Sequence, residues 1–561
     1  MREITVLTEI IDRYASDQPT ADALIFLKNG EEVSERVSYQ DLRDRALRVA
    51  AALAKRTAKG DRVLLLYPPG VEFVVTFFAA LYAGVVAVPL APPRRDSDRV
   101  ANVVADCQPV GAIGPGAVVE RSRRYLSAQS LGFVLNYEDA LNGTMGGLRP
   151  SRLNEVAMLQ YTSGSTGAPK GVTLSHLNIV ENQYLIANRF SHPERFTCVS
   201  WLPIYHDMGL IGGILQPLFM GGTAVMMSPF SFLQKPSRWL AAIARFRAHS
   251  SGAPNFAYDL CVDRIQDGQL EFDLTAWRVA FVGAEPIRAD TLERFATRFS
   301  QCGFRREAFY PCYGMAEATL LVTGADAGVG PVAYSAQASG NRPPHVYISS
   351  GRIAGTATVQ ILRPGGEEQI APGGEGEIVV GGPSVSVGYW GRTAHRTDEA
   401  GLPQLRTGDL GFIQCDQLYV TGRLDDRLVI QGRNYHPNDL EGALRSWASV
   451  IEPSRCAAFG IQTARGEVAV VATELTARRH VEAESWTDFF ADVRRALAED
   501  FDLAVAAVVV VREGQIPVTT SGKVRRSEAR RLFASGAWSY VAEWRGAALS
   551  GDLSSEMVGA V

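Results

Sequence analysis

One lysine in this chain stands in a setting that suits the handling of phosphate. Lys170 follows the stretch Thr162, Ser163, Gly164, Ser165, Thr166, Gly167, in which glycines and hydroxyl residues are packed between apolar runs. Glycine loses the most conformational freedom on folding, so such a cluster needs a local reason, commonly the close approach of backbone to a ligand. Amides able to turn toward an anion, hydroxyl donors and one ammonium group form a phosphate-binding set. The spacing is not that of a Walker loop. Pro169 stands where its second glycine would be, and Gly171 follows the lysine. A polar surface turn is the plain alternative.

Lys523 follows a second Ser-Gly turn, in PVTTSGKVRR. Between the lysines lie His206 and Asp207 in WLPIYHDMGL, and Tyr313 and Gly314 shortly before Glu317 in FYPCYGMAEATL. Asp409 sits in the glycine-flanked LRTGDLG, and Arg423 and Asp425 lie in TGRLDDRL. Singly, each has a structural reading. His206 suits a satisfied core histidine, Asp409 a turn, and Lys523 a solvated basic face shared with Arg525 and Arg526.

The elements that must position these groups read as α/β. At 561 residues the chain is too long for one core, so at least two domains are expected. Short β-branched runs alternate with helical patterns: RVLLLYP, a helix from about Glu72 to Tyr82, VVAVPL, AVMMSP, RWLAAIARFRAH and WRVAFVGAEP. That alternation predicts layered α/β architecture with parallel sheets. From about residue 346 to 424 the texture turns to Gly- and Pro-punctuated strands, predicting a β-rich subdomain of a large N-terminal domain (residues 1–424). Residues 425–545 predict a small α+β domain, and 546–561 a loose tail.

Bulk composition narrows the class. The chain is 46% hydrophobic and 21% charged with a net charge of −4, which excludes overall disorder and gives no reason to expect a nucleic-acid partner. Seven scattered cysteines without a C-x-x-C predict neither a disulfide framework nor a zinc site. They fit a reducing, cytoplasmic setting. The N-terminus is unlike a signal peptide, and the uncharged run Phe73–Pro93, cut by Gly84 and Pro89, predicts a buried helix and strand in place of a transmembrane segment.

Taken together and in this order, the motifs resemble the adenylate-forming superfamily of acyl-CoA synthetases, peptide-synthetase adenylation domains and luciferases. The resemblance runs from SYQDLRDRALRVAAAL to TTSGKVRR. It is strongest to the fatty acyl-AMP ligases, through SWLPIYHDMGLIGGILQPLFMGG, SGAPNFAYDLC, FYPCYGMAEATL and GRNYHPNDLE. It implies an ATP- and Mg²⁺-dependent ligase that activates a fatty or other hydrophobic carboxylic acid as acyl-AMP. The acyl group then passes to the phosphopantetheine thiol of an acyl carrier protein, in lipid or secondary-metabolite synthesis.

Carried over residue by residue, the resemblance gives the loop Thr162–Lys170 to the β- and γ-phosphates and Glu317 to Mg²⁺. Lys523 would meet the α-phosphate and substrate carboxylate, and His206 would line the carboxylate end. The wall Gly283, Ala284, Glu285, Pro286 faces Tyr313, Gly314, Met315 and Ala316 across adenine. Asp409 takes the ribose hydroxyls, Arg423 reaches ribose or phosphate, and Asp425 is the hinge on which the small domain closes. Two departures stand out: Ala316 where many members carry Thr, and Asp425 where relatives often carry Lys. An insertion that hinders use of coenzyme A is expected between about Val346 and Gly374. The acyl pocket would be lined by SWLPIYHDMGLIGG and SGAPNFAYDL. The competing readings are an acyl-CoA ligase and a catalytically inactive acyl or nucleotide sensor.

Overall fold

The structure, a computed structural model, describes the chain except residues 1–5, 93–98, 127–128, 130, 147, 163–168, 337–344, 399, 431–432, 448–449, 464–465, 476–482, 520–521, 547–548 and 550–561. It is α/β throughout. A large N-terminal domain carries two mainly parallel sheets and a smaller antiparallel one, and a small domain follows.

The first sheet has six strands in the spatial order Phe133–Asn136, Gly111–Gly114, Arg62–Leu66, Val86–Leu90, Val156–Thr162, Lys170–Ser175. All neighbours are parallel except the last pair, an antiparallel hairpin that sets Thr162 opposite Lys170. The glycine-rich stretch itself lies outside the described residues, and the residues described on either side of it belong to two antiparallel strands, whereas a Walker loop joins a strand to a helix. The apolar run from Phe73 is a helix, Val71–Tyr82, buried at every residue but Glu72, followed by the buried strand Val86–Leu90. Among the described residues no helix is long and apolar enough to cross a membrane.

The second sheet has nine strands. At its centre Phe309–Gly314, Val279–Val282, Ser250–Ala253, Thr197–Ser200, Thr223–Met227 and Asp22–Lys28 run parallel, and antiparallel strands close both edges. Parallel strands covered on both faces need unbroken apolar runs, and AVMM and VAFV supply them. The β-rich part pairs Thr358–Leu362, Gly376–Gly381, Pro403–Gln414 and Gln417–Arg423 antiparallel. Within residues 346–374, where the resemblance places an insertion, lie the end of the strand His345–Ile348 and the strands Arg352–Ile353 and Thr358–Leu362.

In the small domain a four-stranded sheet (Ile451–Thr463, Gly466–Leu475, Ala507–Val511, Tyr540–Arg545) is sandwiched by two helices. Val508 and Val510 face Trp486, Phe489 and Val493 of the helix Ala483–Phe501. Ala507, Val509 and Val511 face Ala529 and Phe533 of the helix Arg526–Ala534. The two-residue period of a strand sends alternate side chains to the two cores, which is why this strand is apolar at every position. PNDLEGALRSW is α-helical only over Pro437–Ala443 and tightens to a 3₁₀ turn at Leu444–Trp447.

Candidate active site

One cavity of about 2050 Å³ lies between the two domains. From the large domain it is bordered by Thr162, Lys170, His206, Asp207, the turn Gly283–Pro286, Tyr313–Glu317, Asp409 and Arg423. From the small domain Gly522 and Lys523 border it, and Asp425 of the expected hinge does so too. Every sequence-predicted site residue that the structure describes therefore meets in one place. Ser163, Gly164, Ser165, Thr166 and Gly167 lie outside the described residues.

The corner around Asp409 is built wholly by the large domain. Its carboxylate accepts a hydrogen bond from the Tyr313 hydroxyl at 2.7 Å and is paired with Arg423 at 3.0 Å. The Asp409 N–H donates to Thr407 Oγ1 at 3.0 Å, and Gly408 takes the left-handed φ of +70° that this turn requires. Burial pushes the Asp409 carboxyl up, and the Arg423 guanidinium opposes the rise.

Tyr313 and Glu317 are set by the turn that ends the strand Phe309–Gly314. A side chain at position 314 would bring its Cβ within 1.6 Å of the Leu320 carbonyl, so only glycine fits. Thr319, just beyond the 3₁₀ turn Ala316–Ala318, has φ +68°, a strained conformation for a β-branched residue. Its hydroxyl donates to Ser384 O at 2.7 Å, and Ser386 N–H donates to Glu317 O at 2.8 Å, which fixes the turn. The Glu317 carboxylate accepts from the Tyr389 hydroxyl at 2.8 Å, and burial raises its pKa. Lys170 Nζ stands 5.5 Å from the centre of the same Tyr389 ring. Tyr389 thus stands between Lys170 and Glu317, a contact that no motif in the sequence signalled. Its setting between Gly388 and Gly391 was the available hint.

Across the cavity His206 Nδ1 contacts Asp207 Oδ1 at 2.5 Å, and Asp207 also accepts from Met208 N–H at 2.6 Å. Burial alone would lift the Asp207 pKa, but His206 outweighs it with help from Lys523, and the carboxyl is held below its ordinary value. The next residues, Met208–Leu215, form a π-helical segment, a rare geometry that clusters at functional sites. A Cβ at Gly209 would lie 2.2 Å from Pro203 O, so this turn too depends on glycine.

Lys523 is presented by a tight turn in which Thr519 N–H donates to Lys523 O at 2.7 Å and Lys523 N–H donates to Thr519 Oγ1 at 3.0 Å. Gly522 in that turn has φ +88° and abuts the Phe256 ring of the large domain. Its positive charge acts on Asp207 and on Asp409 alike. Three residues on, the partly buried Arg526 binds Glu441 through both carboxylate oxygens at 2.7 Å, Asp426 at 2.9 Å, and Asn438. It ties the lysine-bearing segment to the chain just past Asp425.

Among the described residues no three His, Cys, Asp or Glu side chains gather to hold a metal ion. A single carboxylate such as that of Glu317 fits Mg²⁺ all the same, because that ion keeps waters and takes the phosphates of a bound nucleotide as its other ligands.

The model of the AMP-binding enzyme family matches residues 11–390. A medium-chain-fatty-acid–[acyl-carrier-protein] ligase of Moorena producens is 34% identical, the alignment covering 95% of this chain and 96% of that protein. Among solved structures, a fatty acyl-adenylate ligase from a study of the Escherichia coli and Legionella pneumophila enzymes superposes with a TM-score of 0.86. It is 31% identical, over 95% of this chain and 99% of that one. The L. pneumophila ligase in complex with acyl adenylate and pyrophosphate is 36% identical over 97% of this chain and 98% of its own, with a TM-score of 0.72.

Proposed function

The chain belongs to the AMP-binding enzyme family, and we propose that it joins a fatty acid to AMP and then hands the acyl group to an acyl carrier protein. The observation that carries this reading is the meeting, in one interdomain cavity, of Lys523 from the small domain with Lys170, Glu317, Asp409 and His206 from the large one. Binding a nucleotide or an acid alone has no need of a second domain's lysine.

In the first half-reaction a carboxylate oxygen attacks the α-phosphorus of ATP and pyrophosphate leaves. Two anions must meet, so neutralising charge is the main task. Tyr313 offers its ring to adenine opposite the turn Gly283–Pro286. Asp409 takes the ribose hydroxyls, with Arg423 holding it in place. Lys170 and the glycine-rich stretch before it receive the β- and γ-phosphates. Glu317, oriented by Tyr389, would hold Mg²⁺, which supplies charge to the phosphates when bound. Lys523 reaches the α-phosphate and the attacking carboxylate together, a task suited to a point charge on a long stem. His206, oriented by Asp207, lines the carboxylate end.

In the second half-reaction the sulfur of the carrier's phosphopantetheine attacks the acyl carbonyl carbon. AMP departs and the thiol gives up its proton. Asp425 is the hinge for the movement that removes Lys523 and admits the thiol.

The test is mass spectrometry of the products formed from ATP, Mg²⁺ and a pool of fatty acids, with holo-carrier protein or coenzyme A offered separately. Acyl-AMP in both arms and a thioester on the carrier alone are expected. Efficient acyl-CoA formation would transfer the acceptor assignment to coenzyme A. Absence of pyrophosphate release across the pool would leave only a binding protein.

A further inference from the structure

The turn that carries Lys523 rests on a side chain of the large domain, Phe256, which borders the same cavity as the lysine. A Cβ at Gly522 would lie 3.1 Å from Phe256 Cε1 and 3.3 Å from Cζ. The glycine backbone therefore lies directly against the edge of the ring, and a side chain there would have to displace it. The φ of +88° at Gly522 disfavours other residues on separate grounds. Both constraints keep the chain bare where it meets the ring, one residue before the lysine.

The ring itself has little freedom to move. Phe256 is the second residue of the helix Asn255–Arg264, which follows the central strand Ser250–Ala253. Asn255 is fully buried, its amide nitrogen donating to Pro286 O at 3.0 Å and its amide oxygen accepting from Arg288 N–H at 3.1 Å. The start of the helix is thereby pinned to the chain that leaves the turn Gly283–Pro286. Trp201 meets the Phe256 ring edge-on at 6.0 Å and is itself stacked on Phe232 at 4.0 Å. Rings interlocked in this way have no space into which to yield.

From this we infer that Phe256 is a positioning residue for adenylation: its ring is the seat that fixes the Lys523 turn in the cavity, and it serves the half-reaction that needs the lysine and not the one that follows. The lysine is a point charge on a flexible stem, so the place of its charge depends on where the turn comes to rest. A fixed ring edge against bare backbone defines that position by contact. Without it the closed arrangement loses population to open ones. The contact is apolar and non-directional, so the turn can leave it without breaking a hydrogen bond, as a seat vacated in every turnover requires. The inference rests on the adenylation reading above, because it concerns the placement of that reaction's lysine.

The experiment compares the full-length wild type with Phe256→Leu, which keeps an apolar side chain at the cavity wall but lacks Cε1 and Cζ, the atoms nearest Gly522. The substrate is the saturated fatty acid turned over fastest in the pool above, and thermal melting checks that the variants fold. Single-turnover acyl-AMP formation at saturating ATP and acid should fall about tenfold in Phe256→Leu, as when a predominant closed state becomes a minor one. Thioester formation from saturating preformed acyl-AMP and holo-carrier protein should not share that fall. In a Lys523→Ala background Phe256→Leu should lower the residual adenylation rate by less than about twofold, because a seat without its lysine has nothing to place. Gly522→Ala, which disturbs the same contact from the small domain and leaves the cavity wall untouched, should slow adenylation and spare transfer in the same way. Equal slowing of both half-reactions would overturn the inference, as would a loss of the same size in the absence of Lys523 or an unchanged adenylation rate. Failure of the wild type to form acyl-AMP from any acid of the pool would defeat the adenylation reading itself, whereas normal wild-type adenylation with an indifferent Phe256→Leu would defeat only the seat.

Discussion

The Asp409 corner and the Lys523 turn face the same cavity and are built on opposite plans. Asp409, Tyr313, Thr407 and Arg423 all belong to the large domain and are already bonded to one another. Nothing has to move for this corner to exist. Lys523 is fixed in its own turn, yet it reaches the cavity only because the small domain packs against Phe256. On the function proposed above, binding is thus prepared in advance while charge neutralisation depends on closure, so that one lysine would be present for adenylation and withdrawn for thiol attack.

Replacing Lys523 tests that division most severely. Lys523→Ala is expected to lower acyl-AMP formation by about a thousandfold, the scale of losing one preorganised charge-stabilising group. ATP affinity should stay near the wild-type value, because the Asp409 corner proposed to hold the ribose is intact. Single-turnover adenylation and nucleotide titration read the two quantities separately. A large loss of ATP affinity would mean that the lysine also contributes to binding and that the two regions are not divided in this way.

Asp409→Ala should do the reverse. A hydrogen bond to a charged group contributes about 1.5–3 kcal/mol, so nucleotide affinity should fall about 10- to 150-fold, with much of the single-turnover rate recovered at saturating ATP. The variant also leaves Arg423 and Tyr313 without their shared partner. A rate that stays low at saturation would show that the corner acts in the chemistry as well.

The two regions also differed in how far they could be read from sequence. Glu317, Asp409 and Arg423 lie in short glycine-marked motifs because the chain must turn sharply there, as the 1.6 Å approach at position 314 and the positive φ of Gly408 show. The strand–helix alternation was legible for the same reason that the sheets are stable: strands buried on both faces must be apolar throughout. Tyr389 had only Gly388 and Gly391 beside it as a hint, and Arg526 had no such mark. Their partners, Glu317 and Lys170 for one and Asp426, Asn438 and Glu441 for the other, are brought near only by the tertiary fold.

Arg526 sharpens the contrast on the closing side. If its clamp aligns the lysine-bearing turn with the hinge, Arg526→Lys keeps the charge but loses the two-pronged grip on Glu441. The expected outcome is about a tenfold fall in the adenylation rate, within the range that breaking one or two charge-assisted bonds allows, with the KM for ATP unchanged. A rise in that KM with an unchanged rate would place Arg526 on the binding side instead.

The smallest effect concerns acid, and it probes the contact between the domains through Asp207. This carboxyl is held below its ordinary pKa by His206 and by Lys523, against the opposing effect of burial. A depressed acidic group contributes stability that is fully present above the unfolded pKa, about 4 for Asp, and is lost as the pH falls through the lower folded value. Wild-type protein should therefore lose stability more steeply than Asp207→Asn when acidified below about pH 4, with the two curves running parallel above it. Because part of the depression comes from Lys523, Lys523→Ala should bring the wild-type curve partway toward that of Asp207→Asn. Chemical denaturation at a series of pH values measures all three. Coincident curves for the wild type and Lys523→Ala would mean that the lysine spends too little time beside Asp207 for the closed arrangement to dominate in solution.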